Sequence, residues 1–263
     1  MKNCVMRNIE SPIEPISEAT IRQVAREHLS PSNLGLIVLK QALYEQRAKL
    51  RTRMSFRERK NDAAVKAYTA MSLEEFDGIN ARQRWANWRT VPRNLSRRMA
   101  NRPSFAIDLC CGVGQSTEVL AHYLPRGSRI LGLEYNPNFV EMARGRKYLN
   151  AQGEPVDVHF RAQSVLETFL DANGQALADD SVDLVNSCGA IGHHFDADTT
   201  RVLAIEVDRV VRPGGLALID SGMKGTRTQD VIRIFEAHGF EVIHRARSCF
   251  ADWNLQVCFR KKA

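Results

Sequence analysis

Asp108-Leu109-Cys110-Cys111-Gly112-Val113-Gly114-Gln115-Ser116-Thr117 joins a short apolar run, Phe105 to Cys110, to a helical one, Ser116 to Leu124. A strand that passes through a glycine turn into a helix is the unit from which parallel sheets are wound. Glycine lets the backbone bend tightly and lets a ligand lie against it with no Cβ in the way, which singles out Gly112 and Gly114. In an open α/β sheet this turn lies beyond the carboxyl ends of the strands, where ligands bind.

The same rhythm continues to the C-terminus. Strands are predicted at Arg129 to Glu134, Val156 to Arg161, Val182 to Cys188 and Leu216 to Ser221, the last entered through Pro213-Gly214-Gly215. Helices are predicted at Asn138 to Leu149, Ala197 to Val211 and Thr228 to His238, the last stopped by Gly239. Strands separated by helices imply parallel crossovers. The closing strands, Phe240 to Arg247 and Leu255 to Arg260, have only a short loop between them and must pair antiparallel. The expected fold is α/β, with a mostly parallel sheet and one reversed strand at its end.

Before the sheet, residues 17–100 read as helices. Asn33 to Met54 places Leu34, Ile37, Val38, Leu43 and Leu50 at helical spacing. Ser55-Phe56-Arg57-Glu58 and Ser72-Leu73-Glu74-Glu75 have the capping-box pattern, so new helices should start near Phe56 and Leu73. Pro92 is expected to break or kink the last of them. The chain thus divides into a helical cap or lid, residues 1–100, and a sheet domain, residues 101–263.

Charge divides it at the same place. The net charge is +7, yet residues 1–100 hold 19 Lys and Arg against 10 Asp and Glu, while the remainder is slightly acidic. Arg47, Lys49, Arg51, Arg53, Arg57, Arg59 and Lys60 form a basic run, either a solvated helix face or an attraction for an anionic partner. No nucleic-acid-binding motif accompanies it. The 44% hydrophobic and 25% charged composition excludes disordered, collagen-like and disulfide-scaffold classes. No apolar stretch is long enough for a membrane span, and Met1 to Ser30 has no apolar core of a signal peptide. The six cysteines include no Cys-x-x-Cys pair and no zinc spacing. They read as free thiols of a cytoplasmic protein, with no metal site expected.

Glu134 ends the strand after the glycine turn, 22 residues beyond Gly112, where an acid can accept both hydroxyls of a ribose. Asp108 stands just before the turn, and Thr117 occupies the third glycine position of a dinucleotide fingerprint. A pyrophosphate would be repelled by the Asp108 carboxylate, which disfavours a nicotinamide cofactor. A ligand with a sulfonium, an ammonium and a ribose would be attracted, and S-adenosylmethionine has all three.

Residues 105–260, about 60% of the chain, resemble the class I S-adenosylmethionine-dependent methyltransferase family. Asp108 to Gly114 is similar to its Asp-x-x-x-Gly-x-Gly motif. Leu131-Gly132-Leu133-Glu134-Tyr135-Asn136-Pro137 resembles its ribose segment, Asp179 to Val185 the approach to its fourth strand, and Glu206 to Gly215 the approach to its fifth. The resemblance implies a Rossmann-like, seven-stranded sheet with the last strand inserted antiparallel. It implies that Asp108, Gly112 and Gly114 hold the methionine end and Glu134 the ribose, with Cys110 and Tyr135 as further cofactor-binding candidates. Gln163, Ser164 and Val165 would lie near the adenine, and Asn186, Ser187 and Cys188 along the methionine portion.

Methyl transfer from a sulfonium is an in-line displacement, and a hydroxyl or ammonium acceptor also needs a base. His193 and His194 follow the fourth strand on the cofactor's side of the sheet and are the candidates, as base, acceptor ligand or loop support. Tyr68, Arg82, Trp85, Trp88 and Arg89 are candidates for a lid or an acceptor clamp, or for helix packing. The expected function is methyl transfer to a small molecule. A methyltransferase acting on RNA or protein through the basic segment, and a non-catalytic cofactor-binding module, remain as alternatives. The sequence does not indicate an oligomeric state.

Overall fold

The computed structural model describes residues 16–28, 34–52, 71–95, 104–249 and 255–263. The elements are α1 (Glu18–His28), α2 (Leu34–Thr52), α3 (Leu73–Ile79), α4 (Ala81–Leu95), β1 (Phe105–Leu109), α5 (Gln115–Tyr123), β2 (Arg129–Glu134), α6 (Pro137–Arg144), β3 (Asp157–Ala162), β4 (Val182–Ser187), α7 (Ile191–His194), α8 (Ala197–Val210), β5 (Val211–Ser221), α9 (Thr228–Ala237), β6 (Phe240–Ala246) and β7 (Leu255–Lys261). One seven-stranded sheet runs in the order β3-β2-β1-β4-β5-β7-β6. The reversed strand, β7, is not at the sheet's edge but inserted between β5 and β6, antiparallel to both.

Alternation along the strands separates two cores. Ile107, Leu109, Val185 and Ile219 point to the face covered by Leu203 and Val207 of α8 and by Val231 and Phe235 of α9. Ala106, Ile130, Leu184 and Cys258 point to the other face, against α4, α5 and α6. Helix α4 sends Trp88, Val91 and Leu95 into that second core. Helix α1 is tied to α4 by the Arg93–Glu18 ion pair.

Three local expectations need correction. Helix α4 continues through Pro92 to Leu95 and does not break there. A proline costs one backbone hydrogen bond and some strain in a helix interior, but here both Val91 and Pro92 are buried, so packing holds the turn. Helix α6 stops at Arg144 instead of Leu149, because Gly145 ends it and Leu149 instead forms a bridge with Pro155. Strand β5 begins at Val211, before Pro213-Gly214-Gly215, and pairs with Val182 ahead of a register shift.

The Ser72 capping box is complete: the Ser72 Oγ accepts the Glu75 amide at 3.2 Å, and the Glu75 carboxylate accepts the Ser72 amide at 3.0 Å. The corresponding reading at Ser55, and the helix start at Phe56, lie outside the described residues. No described helix is long and apolar enough to cross a membrane.

Candidate functional site

The glycine turn is built from left-handed backbone. Gly112 has φ +55° and Gly114 φ +85°, and between β1 and this turn Cys110 itself adopts φ +50°. A non-glycine residue there costs about 1–2 kcal/mol, a strain typical of ligand-binding turns. Helix α5 starts immediately afterwards, so its unpaired amides face the mouth of the turn.

Asp108 lies beneath this turn and is fully buried. Its carboxylate accepts the hydroxyls of Ser116 at 2.7 Å and Thr117 at 2.6 Å, and the Asn186 amide at 2.8 Å. Burial pushes its pKa up to about 6, against the lowering effect of those three donors. The carboxylate therefore lies below the turn, not on an open wall. Thr117, which departs from the dinucleotide fingerprint, has a role here as a donor to Asp108.

Glu134 closes the site at the end of β2. One oxygen accepts the Gly112 amide and the other the Asn136 amide, each at 2.9 Å. Burial raises its pKa, opposed by these backbone donors. Tyr135 beside it is exposed.

The remaining sequence candidates fall into three groups. Asn186, Ser187 and Cys188 end β4 beside the Asp108 turn. The Ser187 hydroxyl donates to Asp220 at 2.7 Å, and burial raises the Cys110 and Cys188 thiols well above their usual range, which keeps both neutral. Gln163 turns inward: its amide donates to the Thr168 carbonyl at 2.6 Å and accepts from Leu170 at 3.1 Å. Ser164 accepts the Leu166 amide at 3.2 Å, and Val165 is buried in the first core.

His193 and His194 sit in the four-residue helix α7, their rings 6.2 Å apart. Desolvation first, then the neighbouring His193, lowers the His194 pKa. Of the lid candidates, Trp88 packs edge-on against His122 and Tyr123 in the second core. Trp85 is buried under the Arg89 guanidinium, whose Nε donates to the Ser248 carbonyl at 2.6 Å, while Arg82 is exposed. Tyr68 lies outside the described residues.

Several residues at the site were not singled out by the sequence. The Phe76 ring of α3 covers the turn so closely that a Cβ on Gly112 would fall 2.9 Å from its tip. Asp77 latches α3 down, accepting from Gln115 at 2.7 Å and from Arg146 at 2.7 and 3.0 Å. Asp220, at the end of β5, accepts the Gly192 amide at 2.8 Å and so anchors the histidine loop. Gln83, Thr90, Cys188, Asp220 and Gln256 line a cleft between α4 and the ends of β4, β5 and β7. A signal existed for two of them. Gln256 interrupts a strand buried on both sides, and Asp220 ends an apolar one. Among the described residues no cluster of three or more His, Cys, Asp or Glu is placed to hold a metal ion.

A sheet in this order, with a reversed strand inserted before its edge and a carboxylate ending each of the first two turns' strands, is the class I methyltransferase fold. Residues 107–219, less than half of the chain, match the family described as "Methyltransferase domain". Over 115 residues the chain is 30% identical to a demethylmenaquinone methyltransferase of Lactobacillus johnsonii (strain CNCM I-12250 / La1 / NCC 533), covering 42% of this chain. The match spans 41% of that relative's length. Among solved structures, the fold is similar to a SAM-dependent methyltransferase from Methanosarcina mazei, with TM-score 0.52 and 12% identity over 64% of this chain and 96% of that one. It is also similar to the PH0226 protein from Pyrococcus horikoshii OT3, with TM-score 0.52 and 15% identity over 74% and 95%.

Proposed function

We propose that the chain transfers the methyl group of S-adenosylmethionine to a small-molecule acceptor. The carrying observation is the pairing of a buried carboxylate under the glycine turn, Asp108, with a second at the end of the next strand, Glu134. Such a pair suits a ligand that carries positive charge at one end and a diol in the middle. The bound cofactor supplies an electrophilic methyl on a sulfonium. The chain's own residues bind and orient it: Asp108 by its charge, Glu134 by accepting hydroxyls in place of the backbone amides it now accepts, and Gly112 and Gly114 by close backbone approach. Cys110, Tyr135, Asn186, Ser187 and Cys188 border this same edge of the sheet, whereas Gln163, Ser164 and Val165 support the loop behind it.

A cleft under α4 borders this edge of the sheet. Its walls come from one helix and three strand ends, and its free volume is about 20 Å³, room for a single water molecule, so α4 would have to shift before an acceptor could enter. The Lactobacillus relative is named for a small-molecule acceptor, which is consistent. In this reading residues 1–100 form the cap that closes the cleft over the domain of residues 101–263.

Calorimetric titration with S-adenosylhomocysteine, followed by transfer of labelled methyl groups into small-molecule and macromolecular fractions, tests both parts. Saturable binding with label in the small-molecule fraction is expected. Label in RNA or protein, lost steeply with added salt, would instead make the basic N-terminal segment the docking face.

A further inference from the structure

Four amide and imidazole side chains form one directed path through the interior to Asp108. The imidazole Nδ1 of His244, on β6, pairs with the Asn94 Oδ1 at 2.8 Å, and the Asn94 amide of α4 donates to the Gln256 Oε1 at 2.9 Å. The Gln256 amide of β7 donates to the Asn186 Oδ1 at 3.0 Å, and the Asn186 amide of β4 donates to Asp108 at 2.8 Å. Asn94, Gln256, Asn186 and Asp108 are all at most 3% exposed. Four amide and acid groups buried in succession are costly unless each is satisfied, so the path is a specified feature.

Its direction is fixed by one backbone group. The Gln256 Nε2 also donates to the Ser187 carbonyl at 2.9 Å, and a carbonyl only accepts. The oxygen of Gln256 must therefore face Asn94, and the oxygen of Asn94 must face His244, which makes His244 Nδ1 the donor. Asn186 likewise receives Gln256 on its oxygen and is left with its amino group toward Asp108. Every dipole on the path thus points its positive end at that carboxylate.

We propose that Gln256 and Asn94 are positioning residues for cofactor binding: by fixing the donor face of Asn186 toward Asp108, they keep that carboxylate ionised for the cofactor's cationic end. The inference rests on the reading of Asp108 as the charge that attracts the cofactor. It adds that residues far along the chain, on α4 and β7, set that charge, so that seating of α4 on the sheet and readiness of the cofactor site are one event. Other titratable groups around Asp108 do not substitute for them. The Cys110, Cys111 and Cys188 thiols and the Tyr148 phenol are all driven toward their neutral forms by burial. The acids Glu134 and Asp220 act on these neighbours with negative charge, and Glu134 opposes a charge on Asp108.

The test is calorimetric affinity for S-adenosylhomocysteine from about pH 5 to about pH 8, in wild type, Gln256→Met, Asn94→Ser and Asp108→Asn. Using one ligand in every arm cancels its own titration. Gln256→Met keeps length and packing but donates nothing, so the inflection of affinity against pH should move upward by about one unit. That is about a tenfold loss on the acid side and nearly wild-type affinity at about pH 8. Asn94→Ser, one hydrogen bond further away, should move it the same way by less, and decides alone if Gln256→Met does not fold. A loss equal at every pH, or no loss, in the folded variants would overturn the inference. Asp108→Asn should bind weakly with a flattened profile. If it instead binds as wild type does, the underlying reading of Asp108 falls, whatever the other two variants show.

Discussion

The carboxylate of Glu134 and the amide of Gly112 are hydrogen-bonded at 2.9 Å, which buckles the end of β2 to the turn after β1. On the proposed reading, a diol bound there would compete for the same oxygens and replace this contact. A charged hydrogen-bond pair is worth about 2 kcal/mol, or about 30-fold in affinity. Glu134→Ala should weaken S-adenosylhomocysteine binding by about that factor. Calorimetry on material with an unchanged melting profile measures it, and undiminished affinity would remove Glu134 from the site.

Asp108 gives the unliganded protein a definite pH response. Its folded pKa, about 6, lies above the ordinary value of 3.8, so between these values the folded state holds the proton more tightly than the unfolded one. Its contribution to stability is therefore greatest below the lower value and falls as pH rises toward about 6. A cationic ligand reverses the preference by favouring the ionised form. The rise in Tm on adding S-adenosylmethionine should be small at about pH 5 and grow to a plateau near pH 7. Melting curves with and without ligand across that range decide it; a ligand shift independent of pH would count against the charge pairing.

The turn, its strand and its helix were legible because each is a local pattern. An apolar run, two glycines at positive φ and an amphipathic helix lie within twenty residues of Phe105. Glu134 was legible because the next strand ends there. The path through Asn94, Gln256 and Asn186 was not, since its members are 162 and 70 residues apart in the chain. The same distance hid the position of α4. Its helical spacing was readable, but not that Trp88 and Val91 pack on the sheet. Phe76 and Asp77 escaped notice for a different reason. On a short capped helix they read as one more exposed turn, and only the fold brings them over Gly112.

Helix α3 lies over the turn, and a nucleoside resting on Gly112 would have to displace the Phe76 ring. Asp77 is the latch, with Arg146 17% and Asp77 31% exposed, so the pair is partly shielded from solvent. Asp77→Ala should cost global stability no more than about 1 kcal/mol. It should speed both association and release of S-adenosylhomocysteine several-fold and speed hydrogen exchange in Leu73–Ile79. Stopped-flow binding and exchange mass spectrometry report these separately. Unchanged rates in both would mean that α3 is a fixed wall and not a gate.

Gly114 combines φ +85° with a neighbour at close range: a Cβ would fall 2.0 Å from the Tyr148 hydroxyl. That hydroxyl donates to the Ala143 carbonyl at 2.8 Å, so it is held in place. Gly114→Ala should therefore destabilise by about 1–3 kcal/mol, from backbone strain and from the clash together. Adding Tyr148→Phe removes the hydroxyl but not the strain. The double variant should recover part of the loss, and denaturant melts of the four proteins in the cycle measure how much. Full recovery would show the clash alone to be the cost, and no recovery the backbone alone.

The histidine loop carries the remaining chemical question. Asp220 accepts the Gly192 amide at 2.8 Å and, more weakly, the Ile191 amide at 3.3 Å, so α7 is anchored to the end of β5 beside the cleft. His194 has its pKa lowered to about 4, by desolvation first, so the ring is neutral at neutral pH but only weakly basic. If His194 is the base, His194→Ala should lower kcat by about a hundredfold or more while leaving cofactor affinity unchanged. His193→Ala should then cost little. Asp220→Asn weakens the anchor and removes a negative charge that raises the His194 pKa, and should lower kcat less than His194→Ala does. Steady-state rates with an identified acceptor, beside calorimetric cofactor affinity, separate the cases. Wild-type turnover in both histidine variants would leave α7 a purely structural loop, and would discard both histidines as the base.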